Sequence, residues 1–390
     1  MKTRNREITI KLSKYIDTIP DYIWSSNTTT FVDIEPQNGS YLRDAYVKLK
    51  SYGHSDENIF SRLYGFFESE YMMMYAINKY NISGNFFVLN ILNEKECFVD
   101  ETGYLNFNIN KKEYKMRFNV TLTNPPYLDG MHLRFLEKAI DITDDYILFI
   151  QPASWLISEK EYKHKTKEVQ LKDKIKNIIS SIDVVNLNLY FKEAKLGTPG
   201  AIILLDKHKK DTSFICNDEM RGKTYAYNHI DEMNKWGDDK EYVLFKENIK
   251  NYIKNTSSLL DIRNRRGKYY INFSQLRGNI SYTNKNLFDT PDFFTLIPNG
   301  LEVETSPGKH FQIGFETKKE AQNCLDYIRL KSVRAALSIL KIHNNIDRGE
   351  LGIIPNVDFK QKWNDQKFLK ILGFNSNEIL DWIEKNIPNY

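Results

Sequence analysis

Phe118-Asn119-Val120-Thr121-Leu122-Thr123-Asn124-Pro125-Pro126-Tyr127 is the stretch on which the reading of this chain turns. Phe118 to Leu122 has the length and composition of a buried strand, and the polar residues follow where open α/β sheets bind ligands, at the carboxyl end. Two consecutive prolines fix their own φ angles and bias the residue before each toward extended geometry. Asn124 and the Pro125 carbonyl therefore present oxygens in a nearly fixed arrangement, which suits an –NH2 group. With both N–H bonds of an adenine N6 or a carboxamide engaged, the nitrogen lone pair can face an electrophilic methyl without first losing a proton. Tyr127 is placed to stack on the planar group. The same residues also make an ordinary strand-ending turn, so the flanking sequence has to decide.

Asn124-Pro125-Pro126-Tyr127 resembles the catalytic motif of amino-group methyltransferases that use S-adenosylmethionine, notably the adenine-N6 DNA methyltransferases. Upstream, Thr30 to Leu42 reads as a strand, a tight turn and the start of a helix, as a nucleotide-binding α/β sheet begins. It resembles the family's first motif, which implies cofactor-binding roles for Asp33 at the strand end and Gly39 in the turn. Gln37 stands where a small residue is usual, and a side chain there can crowd the cofactor's methionine moiety, so weak or lost cofactor binding stands as an alternative. Asp17 to Trp24 resembles the Thr-x-Pro helix start that folds over that moiety, which implies a role for Thr18; a Thr-capped helix N-terminus is the plainer account.

Arg62 to Glu68 reads as a second strand, with Ser69 capping a helix from Glu70 to about Tyr80. The resemblance implies that Glu68 accepts the ribose hydroxyls of the cofactor. Glu70 competes for that role, although acidic residues are ordinary in a first helical turn, and Met72, Met73 and Met74 read as helix packing. A third strand, Phe86 to Asn90, ends where the family has an Asp on the adenine amine, so Asn90 keeps an acceptor without the charge. Residues 93 to 117 read as an insertion. After the catalytic strand come an amphipathic helix, His132 to Ile142, and the strand Tyr146 to Gln151 leading into Pro152-Ala153-Ser154-Trp155-Leu156, similar to the post-catalytic motif of Eco57I-like and TaqI-like adenine methylases. Asn186 to Phe191, Gly197-Thr198-Pro199-Gly200 and the strand Ala201 to Leu205 resemble the last catalytic motif; Phe191 is then the aromatic against the flipped base, or else a core residue.

This order, cofactor motif before catalytic motif and a long region after both, resembles the γ class of that family. Phe315-Glu316-Thr317-Lys318 before a helix, and Ile354 to Phe359 with Trp363-Asn364-Asp365, look like the C-terminal segment of restriction–modification methylases. The fold expected is α/β: a Rossmann-like S-adenosylmethionine-dependent methyltransferase domain over residues 1–205 and an α+β target-recognition domain over 206–390, with Asp206 to Asp218 as the linker.

With 390 residues, 41% hydrophobic and 27% charged, the chain can support two cored domains. No apolar run follows the charged start Met1-Lys2-Thr3-Arg4, so neither a signal peptide nor a membrane span is expected, and the cytoplasm of a bacterium, or of a phage host, is. Cys97, Cys216 and Cys324 are too scattered for a zinc site or a disulfide framework, and no histidine pairs with carboxylates at metal-ligand spacing. Net charge is only +4, so partners must be read from local clustering. Between 246 and 285 stand nine basic residues against Glu247 and Asp261. Arg263, Arg265 and Arg266 with Tyr269 combine guanidinium groups and an aromatic ring, which suits phosphates and bases; a solvated basic face is the alternative.

The function expected is site-specific methylation of adenine N6 in double-stranded DNA, on a base flipped out of the duplex, by a monomer that can serve a cognate restriction endonuclease. An N5-glutamine methyltransferase shares the tetrapeptide because a carboxamide resembles the amide edge of adenine, but such enzymes lack a large region after the last strand. RNA adenine methylation and a DNA-holding module that has lost the cofactor, suggested by Gln37 and Asn90, remain as alternatives. A nuclease would have to rest on the permissive pattern Pro291-Asp292 with Glu316-Thr317-Lys318.

Overall fold

In the computed structural model the chain forms two compact units, Met1–Trp155 with Tyr162–Glu232, and Leu156–Glu161 with Met233–Tyr390. The residues described are 13–157, 167–191, 199–220, 222–233, 240–273, 301–308, 312–340, 348–375 and 377–387.

Among the described residues the first unit opens with two short helices, α1 (Ser13–Ile16) and α2 (Asp21–Ser25), and then alternates strands and helices: β1 (Phe31–Asp33), α3 (Ser40–Ser51), α4 (Asp56–Arg62), β2 (Leu63–Phe67), α5 (Glu70–Tyr80) and β3 (Asn85–Val88). Three strands, β4 (Cys97–Val99), β5 (Leu105–Ile109) and β6 (Lys112–Met116), form a separate antiparallel sheet. The chain then enters β7 (Phe118–Thr123), α6 (Met131–Ile142) and β8 (Thr143–Pro152), and continues through β9 (Ile179–Val185), β10 (Gly200–Asp206), β11 (Phe214–Asp218) and β12 (Lys223–Tyr227). Nine strands make one sheet in the order β12-β11-β9-β10-β8-β7-β1-β2-β3.

From β3 to β8 every pairing is parallel. β10 runs antiparallel to both β8 and β9. From β1 the chain proceeds outward through β2 to β3 and then crosses to β7 on the other side of β1. Strand order thus reverses between β1 and β7, and the crevice at the carboxyl ends of such a switch point is where open α/β sheets bind ligands.

Sequence explains the interior strands. β8 is buried from Tyr146 through Pro152, and Tyr146 to Ile150 is the apolar run expected of a strand covered on both faces. One sheet face packs Val120, Leu122, Leu148 and Ile150 with Trp24, Leu42, Leu49 and Phe67 into a single core. Burying each such side chain stabilises by about 1.5–3 kcal/mol. Polar cross-links fix the β1/β7 seam: Asn119 accepts from the Thr30 amide and hydroxyl at 3.0 and 3.1 Å.

Several sequence expectations are corrected. Arg62 ends α4 rather than opening β2, and donates from its buried guanidinium to the carbonyls of Ser26 and Thr29. β3 stops at Val88, so Asn90 lies two residues beyond its strand; as an edge strand β3 has one ladder, and pairing ends with β2. No linker follows Leu205. β11 pairs parallel with β9 and β12 closes the sheet antiparallel to β11, so the sheet-bearing unit extends to Glu232. β11 escaped the sequence because its register is hydropathically inverted at two positions: Ile215 faces outward and Asp218 is buried.

In the second unit an antiparallel three-stranded sheet, β13 (Tyr269–Asn272) between β14 (Val303–Glu304) and β15 (Gln312–Phe315), shares one core with the helices Lys240–Asn255, Lys318–Ile328, Lys331–Leu340, Asp365–Ile371 and Glu378–Asn386. The helix Lys318–Ile328 starts with a capping box, Thr317 with Glu320. Tail residues that drew attention in the sequence serve packing here: Tyr327 donates to the Pro355 carbonyl, Asn323 to that of Phe359 and Trp363 to that of Asp358.

Candidate functional site

Three turns leave the sheet around the β1/β7 crevice: Ile34 to Gly39 after β1, Glu68-Ser69 after β2, and Asn124 to Gly130 after β7. Each is built by local rules. Gly39 sits at φ 80, in the left-handed region, and caps α3. A Cβ there would lie 2.5 Å from Cβ of Ala76 on α5, so only glycine allows this approach. Ser69 caps α5 by accepting from the Met72 amide, as expected from the sequence.

Asp33 is buried, and one carboxylate oxygen accepts from the Thr123 hydroxyl at 2.7 Å and the Glu35 amide at 3.1 Å. It therefore braces β1 against β7. Burial pushes its carboxyl up to about 7, against the two hydrogen bonds, which favour the charged form. Glu35, not singled out in the sequence, is pushed up to about 8, first by burial and then by the charges of Asp33 and Glu68. Glu68 itself is exposed just past β2. Three carboxyls thus converge on the crevice, and a cationic ligand bearing hydroxyls suits them: its charge would relieve their repulsion, and Glu68 is open to accept hydroxyl protons. Tyr41, in the first turn of α3, adds a buried hydroxyl with no hydrogen-bond partner among the described residues, within electrostatic reach of Tyr127 and Asp33. S-adenosylmethionine, with a sulfonium, an ammonium and a ribose, fits this donor and acceptor set.

Asn124 is buried at the tip of β7. Its side-chain oxygen accepts from the Tyr127 hydroxyl at 2.5 Å, and its main-chain carbonyl accepts from the Gln37 carboxamide at 2.9 Å. Gln37 has φ 50, so its side chain is presented from a left-handed backbone. Pro125 is buried and Pro126 partly so. Tyr127 packs on the same core as β7, and its ring meets that of His132 nearly perpendicularly, 6.1 Å between centroids. Burial holds His132 down at about 4, opposed by a backbone hydrogen bond to Tyr127, so this imidazole is neutral at physiological pH.

The structure therefore brings Asp33, Gly39, Glu68, Asn124, Pro125, Pro126 and Tyr127 to one end of the sheet. Thr18 is exposed and donates to the Tyr15 carbonyl at 2.6 Å; it does not cap α2, whose N-cap is Pro20. Asn90 is exposed and its side-chain oxygen caps the Leu92 amide. Phe191 is buried in the core that includes Leu148 and Ile202. Gly197 and Thr198 lie outside the described residues.

In the second unit, the turn carrying the basic cluster is stitched to β15: Asn264 donates to the Gln312 carbonyl, Gly314 to that of Arg265, and Lys268 to that of Phe315. Arg265 is tied down, with Nε donating to the Gly314 carbonyl at 2.7 Å and its guanidinium 4.7 Å from the Phe315 ring centre. Arg266 is exposed and Arg263 partly so; neither side chain has a hydrogen-bond or ion-pair partner among the described residues. Tyr269 is half-buried on β13 against that unit's core. Residues 274–285 of the basic stretch and Pro291-Asp292 lie outside the described residues. Among those described, no group of three or more His, Cys, Asp or Glu could hold a metal ion, and no helix is long and apolar enough to cross a membrane.

Glu35 and Tyr41 are what sequence reading missed. Glu35 had a usable mark, an acid directly before a proline turn; the lone hydroxyl of Tyr41 had none. Because folding raises the Asp33 and Glu35 carboxyls, the native state holds protons that the unfolded chain releases at lower pH. Their contribution therefore favours the folded state least at high pH, and unliganded stability should decline as pH rises from about 4 to about 8. Glu35→Gln should flatten that decline and stabilise the protein at pH 8 by about 1–3 kcal/mol, read by urea unfolding across pH. A superimposable pH–stability curve for the variant would show that Glu35 is solvated.

No protein-family model matches the chain, and no curated protein does. Solved structures similar to it include the type I restriction-modification system methyltransferase subunit from Streptococcus thermophilus, with 13% identity over 53% of this chain and 45% of that one and a TM-score of 0.37. The type IIG restriction endonuclease BpuSI matches with 11% identity over 66% of this chain and 36% of that one, TM-score 0.40. The ATP-dependent type ISP restriction-modification enzyme LlaBIII bound to DNA matches with 16% identity over 50% of this chain and 18% of that one, TM-score 0.35. The match spans less than half the length of each. The likeness is distant, and it transfers no residue's role to this chain.

Proposed function

We propose that the chain is an S-adenosylmethionine-dependent methyltransferase that acts on adenine N6 of DNA. The observation that carries this is the position of Asn124-Pro125-Pro126-Tyr127 at the point where strand order reverses, beside a crevice lined by Asp33, Glu35 and Glu68. The bound cofactor supplies a methyl group activated by positive sulfur. Glu68 and Glu35 would hold its hydroxyls and balance its charge. Asn124 through its side-chain oxygen and Pro125 through its carbonyl would accept the two N–H bonds of the target amine, leaving the nitrogen lone pair directed at the methyl, so that N–CH3 forms as S–CH3 breaks and the nitrogen then loses one proton to water. The Tyr127 hydroxyl orients the Asn124 amide, and the Tyr127 ring stacks on the base. Adenine N6 is engaged in pairing within a duplex, so the base must be flipped out first.

DNA is preferred over a protein glutamine because a separately cored second unit carries Arg263 and Arg266 with free guanidinium groups, which suit phosphate contacts. A partner endonuclease belongs to the same proposal. Methylation-aware sequencing of DNA from cells expressing the protein should show N6-methyladenine at a defined sequence, and calorimetric titration should show S-adenosylmethionine binding. Unmodified DNA together with a flat titration would sink the proposal and leave at most a DNA-holding module without cofactor; cofactor binding without adenine modification would move the reaction to another amine, in RNA or a glutamine side chain.

Arg263→Ala with Arg266→Ala should weaken DNA binding and flatten its dependence on log salt by about two units, roughly 0.9 per phosphate contact. Arg265→Ala should in addition loosen the turn, because its Nε is bonded to the Gly314 carbonyl and its guanidinium lies over the Phe315 ring. Fluorescence anisotropy against salt reads both. Equal slopes for wild type and the double variant would make the cluster a solvated face.

A further inference from the structure

We propose that Gln37 is a positioning residue whose carboxamide, reaching across the crevice from the turn after β1, holds the Asn124–Pro125 peptide plane and so aims both acceptors of the methylation site. This inference rests on the proposed methyltransferase reading.

The peptide plane between Asn124 and Pro125 separates the two acceptors. Because Pro125 has no N–H, that plane has one polar handle, the Asn124 carbonyl. Asn124 is buried, so water is not a ready partner for that carbonyl and a protein donor must serve it. Gln37 Nε2 does, at 2.9 Å, across 87 positions of sequence. The other oxygen of Asn124 is held by Tyr127 at 2.5 Å, so the residue is gripped at both ends.

The backbone at Gln37 supports this assignment. Its φ of 50 lies in the left-handed region, which glycine occupies freely and a long side chain does not. Strain of this kind persists where the surroundings over-determine it, and here the strained residue supplies the donor. Glycine would relieve the strain and lose the hydrogen bond. Methionine would keep both the strain and the bulk and lose only the bond.

Gln37→Gly and Gln37→Met separate these effects. Both should lower kcat by about ten- to a hundredfold, the scale of a small misplacement of reacting groups. KM for DNA and the Kd for S-adenosylhomocysteine should change by less than about threefold, since the acceptors act on the target amine. In the unliganded proteins the backbone amides of Tyr127 and Leu128 should exchange hydrogen faster than in wild type, while those of α3 should not. An unchanged kcat in both variants, a loss confined to cofactor Kd, or equal amide exchange in all three proteins overturns the assignment. A wild-type protein that neither binds S-adenosylhomocysteine nor methylates DNA would sink the methyltransferase reading instead, and the exchange rates would still decide whether Gln37 holds the loop.

Discussion

Asn124→Ala lowers methyl transfer by about 10²–10³-fold, the usual cost of removing one acceptor aimed at developing charge. Affinity for S-adenosylmethionine stays within about twofold of wild type, because the side-chain oxygen of Asn124 is directed at Tyr127 and the target amine, while the acidic crevice residues stand at the end of β1 and in the turns after β1 and β2. The variant also strands the Tyr127 hydroxyl, which loses its acceptor. Tyr127→Phe is a graded comparison: it keeps the stacking ring and frees the Asn124 amide, so its loss should be well below that of Asn124→Ala. Single-turnover methylation on a saturating duplex measures both. Near-native turnover in Asn124→Ala would remove the tetrapeptide from the chemistry altogether.

Gly39→Ala destabilises the first unit by about 2–4 kcal/mol. A side chain at φ 80 is strained by itself, and overpacking adds a further 1–3 kcal/mol. The new methyl would stand 2.5 Å from Cβ of Ala76 and 3.4 Å from its Cα, so α5 would have to shift. That helix follows Glu68, so cofactor affinity should fall with stability. Chemical unfolding alone and with S-adenosylhomocysteine separates the two losses. A wild-type unfolding free energy would mean that α3 and α5 are further apart than this packing requires.

The consequence of Gln37 changed most between sequence and structure. By sequence it was an obstruction beside the cofactor; in three dimensions its amide points across the crevice and serves the carbonyl of Asn124. The acidic residue of the first motif shows a similar shift. Asp33 was legible as the acid at the end of β1, yet its carboxylate is occupied by Thr123 and the Glu35 amide. Glu35 is the acid whose carboxyl is raised by burial and then by the charges of Asp33 and Glu68. Hydrogen-bond commitments of this sort depend on which strand lies alongside, and no local pattern reports that.

What the sequence determined by itself was local. The apolar run before Asn124-Pro125-Pro126-Tyr127 made β7, the Asn38-Gly39-Ser40 turn made the start of α3, Ser69 capped α5, and Thr317 with Glu320 boxed the helix Lys318–Ile328. Each follows from side-chain periodicity or from a backbone donor satisfied within a few residues. Tertiary structure alone decided that β11 and β12 extend the sheet past Leu205, that Asn90 lies beyond the edge strand, that Arg265 is spent on Gly314 and Phe315 while Arg263 and Arg266 are not, and that Gln37 meets Asn124. In each of these the deciding partner stands dozens of residues away or on a neighbouring strand, so the energy that fixes the side chain is long-range in sequence and leaves no periodic trace in it.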